Sequence, residues 1–262
     1  MIFYLSCTGN TRWAAEYLAR RTADTAMSIT DIADDYSCEL VPGERLGFCF
    51  PVHGWRPSIL FRKFVSNLNL SRYHDNYCYA LCTAGDNIGE TMDIFSSDLS
   101  LKGIHLDSAC SLVMPESYLG LPFFKLDSSD KERVKIKRSA ARLRVFADVV
   151  SEYRKGYSEL DYGRWPRLNS RLLGGVFTRH LLDDAPFRVD ASKCVSCGKC
   201  SEVCPTGDIS YNNDGVPQWG HEGKCISCFA CYHHCPVNAI EYGNRTKGKG
   251  QYYFKNNLII NL

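Results

Sequence analysis

The sequence predicts an α/β protein in two parts, a doubly wound parallel sheet and a small cysteine-rich α+β domain. Five apolar, strand-like runs alternate with helical segments over residues 1–157. The turn after the first run is rich in small and hydroxyl residues and leads into a helix. Two cysteine runs of the same spacing then follow, at 194–205 and 225–236. We therefore divide the chain into 1–157, a linker at 158–186 and 187–262.

Composition narrows the function. The 262 residues are 45% hydrophobic and 23% charged, as in ordinary globular proteins. The formal net charge of +2 is too small for a general nucleic-acid binder, so no such partner is expected. No long uncharged apolar run occurs, which predicts that no helix spans a membrane. The start, MIFYLSCTGN, lacks the basic segment of a secretory signal, and we expect a cytoplasmic protein.

The turn after the first strand has the features of a phosphate-binding loop. The strand-like run IFYLS ends where CTGNTRWAAEYLARR begins a helix. Free N–H groups and the helix dipole favour an anion there, and Ser6, Thr8 and Thr11 add hydroxyl donors. No GK[ST] follows and no GxGxxG is present, which excludes a Walker or dinucleotide loop. The alternative is an ordinary strand–helix turn capped by Thr or Asn.

This loop resembles the phosphate loop of flavodoxins, [ST]xTGN[ST], at every fixed position. The resemblance implies an FMN-binding domain with strand order 2-1-3-4-5 and the cofactor beside the first strand. It also implies two loops that flank the flavin ring, one after LGFCF and one at TAGDNIGE, and it places Tyr118 of the MPESY segment beside the site. The implied cofactor residues are Ser6, Cys7, Thr8, Gly9, Asn10, Thr11, Pro51, Val52, His53, Gly54, Trp55, Thr83, Ala84, Gly85, Asp86 and Tyr118.

Three of these residues have simpler alternatives. The resemblance makes Trp55 a candidate to stack on the flavin ring, but it could instead be a rim aromatic that covers the core. A lone loop histidine such as His53 is more often a hydrogen-bonded surface group than a catalyst. Tyr118 could flank the cofactor or simply pack, and Ser117 stands where the resembling domains more often have Asn.

The helical segments follow from apolar spacing. Residues 33–45 leave room only for a short helical crossover, and Ser58–Leu68 predicts a helix with Ile59 facing inward. Ser129 and Glu132 form a capping-box pattern for the last helix of this part. Its basic residues predict a solvated face or, alternatively, a docking surface for an acidic partner. We expect a further helix in the linker at about Ser170–Leu182.

The two cysteine runs each carry the pattern CxxCxxCxxxCP, which is typical of bacterial ferredoxins with two [4Fe–4S] clusters. In that pattern three close cysteines hold one cluster and the fourth holds the other. The predicted ligands of cluster one are Cys194, Cys197, Cys200 and Cys235, and those of cluster two are Cys225, Cys228, Cys231 and Cys204. Zinc is the alternative metal, but a zinc ribbon needs only four ligands in two CxxC pairs. The other six cysteines fit best as small buried hydrophobes.

The whole chain resembles the flavodoxin–ferredoxin fusions called EFR-type ferredoxins. This resemblance implies an electron-transfer protein that passes electrons between FMN and two [4Fe–4S] clusters, with redox proteins as partners. One alternative is a reductase that acts on an organic small-molecule substrate over the flavin. Another is a ferredoxin whose first domain has lost FMN and serves as a docking platform. No nicotinamide fingerprint is present, so direct oxidation of NAD(P)H is not expected.

Overall fold

The computed structural model describes residues 1–33, 36–71 and 73–254. The elements of its first part follow in chain order. They are β1 (Ile2–Tyr4), α1 (Asn10–Thr22), β2 (Ala26–Ser28), β3 (Ser37–Glu39), β4 (Leu46–His53), β5 (Arg56–Pro57), α2 (Ile59–Asn67), β6 (Asn69–Ser71), β7 (Cys78–Ala84), α3 (Thr91–Ser100), β8 (Ser108–Val113), α4 (Ser129–Ser151) and β9 (Tyr157–Glu159).

The second part begins with a helix at 166–181, here called α5, in which π-helical turns flank Gly174–Val176. Short elements follow it: β10 (Phe187–Val189), α6 (Lys199–Glu202), β11 (Ile209–Tyr211), β12 (Pro217–Trp219), α7 (Ala230–His233) and β13 (Ile240–Tyr242). Two antiparallel pairs, β10 with β13 and β11 with β12, frame the cysteine runs. Within the described ranges, none of the helices has both the length and the apolar character that crossing a bilayer requires.

The central sheet is mainly parallel, as predicted. Its path is β2-β1-β4-β7-β8-β9, and each neighbouring pair on that path is parallel. The short strand β5 adds an antiparallel pair to β4. The predicted five-strand order did not include β9, which pairs with β8 across the boundary proposed after residue 157.

Helices cover both faces of this sheet. On one face, α2 and α3 enclose an aromatic cluster that includes Phe48, Phe61 and Phe95. On the other, α1 and α4 pack through Leu18 and Phe146. Burial on both faces explains why the long strands β4 and β7 are nearly continuous runs of apolar residues, as is usual for parallel sheets.

Two local predictions were wrong. The described part of 33–45 contains no helix; instead β3 pairs in parallel with β6 beside the main sheet. Ile59 is 42% exposed rather than inward-facing, and α2 buries Phe61 and Val65. Since Ile59 is the first residue of α2, its side chain lies in the opening turn, and the buried stripe begins two residues later.

The last helix of the first part also differs in detail. Its N-cap is Ser128, whose hydroxyl accepts from the Lys131 N–H at 3.4 Å, so the capping pattern proposed for Ser129 is displaced by one residue. Its basic face is not uniformly solvated, because the Lys135 and Arg142 side chains are only 12% and 13% exposed. Arg142 pairs with Glu159 and Asp161 and donates to the Ser111 carbonyl, which attaches the segment around β9 to the sheet.

The two parts of the chain are joined by hydrogen bonds. His233 of α7 bonds through Nε2 to the Ser117 carbonyl at 2.7 Å, and Arg245 donates to the Gly120 carbonyl at 2.7 Å. Burial lowers the pKa of His233 to about 4, so the ring is neutral at pH 7. The sequence ends with a tail that is apolar at Leu258–Ile260, and this stretch lies outside the described residues.

We expect the aromatic cluster to dominate the stability of the first part. Phe95 is fully buried, with its ring 4.5 Å from that of Phe50 and 5.4 Å from that of Phe48. Phe95→Ala should lower the free energy of unfolding by about 3–5 kcal/mol, because it removes a buried ring and leaves a cavity. Phe123→Ala is the matched control, since Phe123 is 93% exposed. Equal chemical denaturation midpoints for the two variants would contradict this account.

Candidate functional site

The sequence-predicted loops meet at one edge of the central sheet. The strands β1, β4, β7 and β8 run parallel, so the segments that follow them emerge on the same side. In open α/β sheets this carboxyl edge is where ligands bind. The edge forms a cavity of about 1140 Å³, including the space at its mouth.

Nearly all of the predicted cofactor residues line this cavity. Of the sixteen, Ser6, Cys7, Thr8, Asn10, Thr11, Pro51, Val52, His53, Gly54, Trp55, Thr83, Ala84, Gly85, Asp86 and Tyr118 do so. Gly9 does not line the cavity, and it lies instead against Phe254. The structure adds residues that were not predicted, namely Asn87, Met114, Pro115, Glu116, Ser117, Leu121, Phe124, Phe177, Ser227 and Cys228. Those at 114–117 belong to the MPESY segment, while Phe177 and Cys228 reach the cavity from elsewhere in the chain.

The first loop is suited to an anion. Gly9 caps α1 in the left-handed region with φ 90°, the helix has no side-chain cap, and its first turn carries no acidic residue. The Ser6 hydroxyl is buried, and no hydrogen-bond partner is found for it within the described residues. Thr11 and Thr83 bring their hydroxyls within 2.8 Å of each other. Uncapped N–H groups and an unpaired buried hydroxyl are the donors that a phosphate would use, so these residues fit FMN.

The second loop is a tight hairpin between β4 and β5. Gly54 and Trp55 both have φ 57°, as a two-residue turn with two left-handed positions requires. Such a conformation is strained for tryptophan, and α5 holds the turn in place. The Ser170 hydroxyl of α5 donates to the Trp55 carbonyl at 2.7 Å. A side chain at Gly54 would collide with Phe177, so the glycine allows α5 to close this side of the cavity.

A buried carboxyl forms another wall. Glu116 accepts the N–H groups of Ser117 and Tyr118 at 2.9 and 2.8 Å, and it fills the space where a side chain at Gly85 would lie. Burial raises the pKa of Glu116 despite these hydrogen bonds. The Lys135 ammonium donates to the Gly85 carbonyl at 2.5 Å and so stabilises the loop that follows β7. The wall therefore includes a carboxyl that holds its proton more tightly than an exposed one.

Desolvation also controls the charge of His53. Burial lowers the pKa of His53 to about 4, so the imidazole is neutral at pH 7. The His53 side chain is half-buried and lines the strand-edge cavity. A neutral ring can donate one hydrogen bond and accept another, but it brings no positive charge to the cavity.

The first predicted set of cysteines surrounds its own cavity. A space of about 340 Å³, which includes the open space at its mouth, is lined by Cys194, Cys197, Cys200 and Cys235. The backbone turns sharply there, with φ 50° at Ser196 and 79° at Gly198. The Ala239 N–H donates to the Cys235 sulfur at 3.2 Å. Hydrogen bonds of this kind to ligand sulfurs tune the potential of iron–sulfur clusters.

The second set is arranged in the same way around a cavity of about 290 Å³, a volume that includes the open space at its mouth. Its lining includes Cys204, Cys225, Cys228 and Cys231. The backbone repeats the first loop, with φ 48° at Ser227 and 62° at Phe229. Burial is the largest cause of the raised pKa of Cys231, and the nearby thiols of the other three cysteines raise this pKa further. Each of these arrangements joins three cysteines of one run with the fourth cysteine of the other.

No group of three or more His, Cys, Asp or Glu side chains gathers closely enough to bind one metal ion in the described part of the chain. That finding concerns a single ion such as zinc. A cubane places each of its four thiolates on a different iron atom, so its ligands lie farther apart than those of one ion.

The strand-edge cavity and the second cysteine cavity share a wall. Ser227 and Cys228 line the strand-edge cavity, and Cys228 also lines the second cysteine cavity. The Cys7 side chain of the first loop lies close enough to Cys228 to raise the pKa of the Cys228 thiol, together with burial. Cys7 is therefore not one of the buried packing cysteines, unlike Cys38, Cys49, Cys78, Cys82 and Cys110, which are buried as predicted.

Comparison with known proteins agrees with the cysteine pattern. Residues 187–236 match the model of the 4Fe-4S dicluster domain. An uncharacterized polyferredoxin-like protein of Methanocaldococcus jannaschii is 44% identical over 36 residues, which is 14% of this chain and 22% of that protein. The chain thus matches only about a fifth of the length of this curated relative. The C-terminal part contains a 4Fe–4S cluster-binding domain of ferredoxin type, which indicates electron transfer.

Proposed function

We propose that this protein transfers electrons between FMN, held in the strand-edge cavity, and two [4Fe–4S] clusters. The observation that carries the proposal is the shared wall, because Cys228 lines both the strand-edge cavity and the second cysteine cavity. Under this proposal cluster one is held by Cys194, Cys197, Cys200 and Cys235, and cluster two by Cys225, Cys228, Cys231 and Cys204. The proposed domains are 1–157 for FMN and 187–262 for the clusters, with the linker 158–186 between them.

The residues of the strand-edge cavity suit each part of FMN. The loop from Ser6 to Thr11 offers N–H and hydroxyl donors to the phosphate. The Gly54–Trp55 turn and the loop at the end of β7, residues 83–86, supply the apolar and backbone surfaces that a flat ring needs. FMN supplies the ability to exchange electrons in pairs or singly, whereas each cluster carries one. One chain that holds both keeps them at high effective concentration, and redox proteins would be its partners.

A reductase that binds an organic substrate over the flavin is the second candidate. Glu116 favours it, because a buried carboxyl of raised pKa in a cavity wall is a candidate proton donor. A substrate screen with a strong reductant would separate a reductase from a carrier. A flavin-free docking domain is the third candidate, and it predicts cluster absorbance without flavin bands.

The cofactor content is the first test of the proposal. Two complete cysteine sets should hold about eight iron and eight sulfide per chain, together with about one FMN. Metal, sulfide and flavin analysis of anaerobically purified protein measures all three. About four iron would contradict the assignment of two clusters, zinc in place of iron would contradict the cluster type, and the absence of flavin would favour the docking-domain alternative.

The crossing of the ligands is the second test. Cys204→Ala should remove the signal of the cluster otherwise held by Cys225, Cys228 and Cys231, and Cys235→Ala should remove the other signal. Paramagnetic spectra of the reduced proteins distinguish the two losses. The control is Cys110→Ala, which changes a buried cysteine of the sheet and should retain both signals. Loss of the same signal in the Cys204 and Cys235 variants would show that the crossing is wrong.

The phosphate loop is the third test. Thr8→Val in the full chain removes a hydroxyl donor but keeps the volume, so FMN affinity should fall about tenfold, equivalent to about 1.4 kcal/mol. Affinity for riboflavin, which lacks the phosphate, should hardly change, and neither should the cluster spectrum. Thr30→Val, at an exposed position, is the control. Equal affinity of the unaltered protein for FMN and riboflavin would mean that the loop is only a strand–helix turn.

A further inference from the structure

The last described residues of the chain reach back to the first loop. The segment Gln251–Phe254, here called the C-terminal strap, comes after the second cysteine run in the chain yet contacts the start of α1. The Tyr252 hydroxyl donates to Asn10 Oδ1 at 2.6 Å, and the Phe254 N–H donates to the Thr8 carbonyl at 2.7 Å. The Phe254 ring lies 5.2 Å from that of Trp13. These contacts are buried, so the strap forms part of the structure around the first loop.

The strap contact determines which way the Asn10 amide faces. Asn10 lines the strand-edge cavity and is buried. Because Oδ1 accepts the Tyr252 hydroxyl, the amide NH₂ remains as the donor for a group in the cavity. An anion needs donors, so the tyrosine holds Asn10 in the orientation that favours a phosphate. Tyr252 is therefore a positioning residue and does not itself line the cavity.

Gly9 allows the strap to approach this closely. A side chain at Gly9 would lie 3.1 Å from Phe254 Cβ and 3.2 Å from the Phe254 carbonyl oxygen. The residue also has φ 90°, which disfavours any other amino acid. The glycine of the loop is thus required by the turn and by the strap together.

The strap is anchored beside the cluster ligands. The Gln251 side-chain amide donates to the carbonyls of Tyr232 and Cys235 at 2.6 and 2.8 Å. The Tyr252 N–H donates to His233 Nδ1 at 3.2 Å, and the Tyr232 hydroxyl donates to the Gly250 carbonyl at 2.7 Å. Tyr232 and His233 belong to α7, which contains the predicted ligand Cys231 and ends two residues before the predicted ligand Cys235. A four-residue helix is not stable alone, so its position depends on what those cysteines bind.

We propose that the C-terminal strap completes the phosphate site of the first loop and couples FMN affinity to cluster occupancy. This inference rests on the proposed function, since it concerns FMN in the strand-edge cavity. A bound cluster fixes α7, α7 fixes the strap through Gln251 and Tyr252, and the strap fixes Asn10 and Thr8. Loss of the clusters would release these contacts in turn and lower the affinity of the first loop for the phosphate of FMN.

The first experiment uses the full chain with its clusters in place. Tyr252→Phe removes the hydroxyl that holds Asn10, so the dissociation constant for FMN should rise about tenfold, while that for riboflavin stays within about twofold. Flavin fluorescence titration under anaerobic conditions measures both. The control is Tyr253→Phe, which removes a hydroxyl from the same segment, where the ring stacks on His234 at 5.0 Å. The control should bind FMN as the unaltered protein does.

The second experiment removes the iron from the unaltered protein and from Tyr252→Phe with a chelator. Iron removal should lower the FMN affinity of the unaltered protein to that of the cluster-loaded Tyr252→Phe variant, and it should lower the variant little further, because both changes act through one chain of contacts. An unchanged FMN affinity after iron removal would overturn the coupling. Equal FMN affinity of Tyr252→Phe and the unaltered protein would overturn the role of the strap. Failure of the unaltered protein to prefer FMN over riboflavin would instead overturn the proposed function.

Discussion

Parallel pairing of β1, β4, β7 and β8 is the constraint on which the candidate site depends. Parallel strands end on the same side of the sheet, so the four segments that follow them lie next to one another. Segments distant in sequence thereby become walls of one cavity. The uncapped start of α1 makes one end of this cavity attractive to an anion, while the MPESY segment and Trp55 make the remainder largely apolar. The site is thus a consequence of sheet topology as much as of any motif.

Sequence predicted the features that depend on local spacing. The cysteine pattern specified two ligand sets, and the structure places the members of each set around a separate cavity. The strand–turn–helix pattern at the N-terminus identified the first loop, and all of its predicted residues apart from Gly9 line the strand-edge cavity. In the first loop and within each cysteine run the spacing is set within a dozen residues, so the local sequence carries enough information to identify them. The mainly parallel sheet followed from the alternation of apolar runs and helices.

Several features that sequence missed depend on contacts between residues that are distant in the chain. Phe177 lies in α5, far along the chain from the loops it covers, and its spacing within that helix does not distinguish it from a core residue. The basic residues of α4 were expected to form a solvated face, because arginine and lysine side chains are usually exposed. Arg142 instead pairs with Glu159 and Asp161. Sequence analysis gave no role to Glu116 of the MPESY segment. Its burial depends on the absence of a side chain at Gly85. No local pattern states which distant residue will supply the partner.

The contact between the two parts of the chain has a thermodynamic consequence. The His233 ring accepts the Tyr252 N–H at Nδ1, so its Nε2 carries the proton that is donated to the Ser117 carbonyl in the wall of the strand-edge cavity. A single neutral side chain thus joins α7, the C-terminal strap and the MPESY segment. Coupling between two binding sites is reciprocal. If the clusters strengthen the binding of FMN through α7 and the strap, then bound FMN must strengthen the binding of the clusters by the same factor. The two binding equilibria are linked, and the coupling free energy does not depend on which ligand binds first.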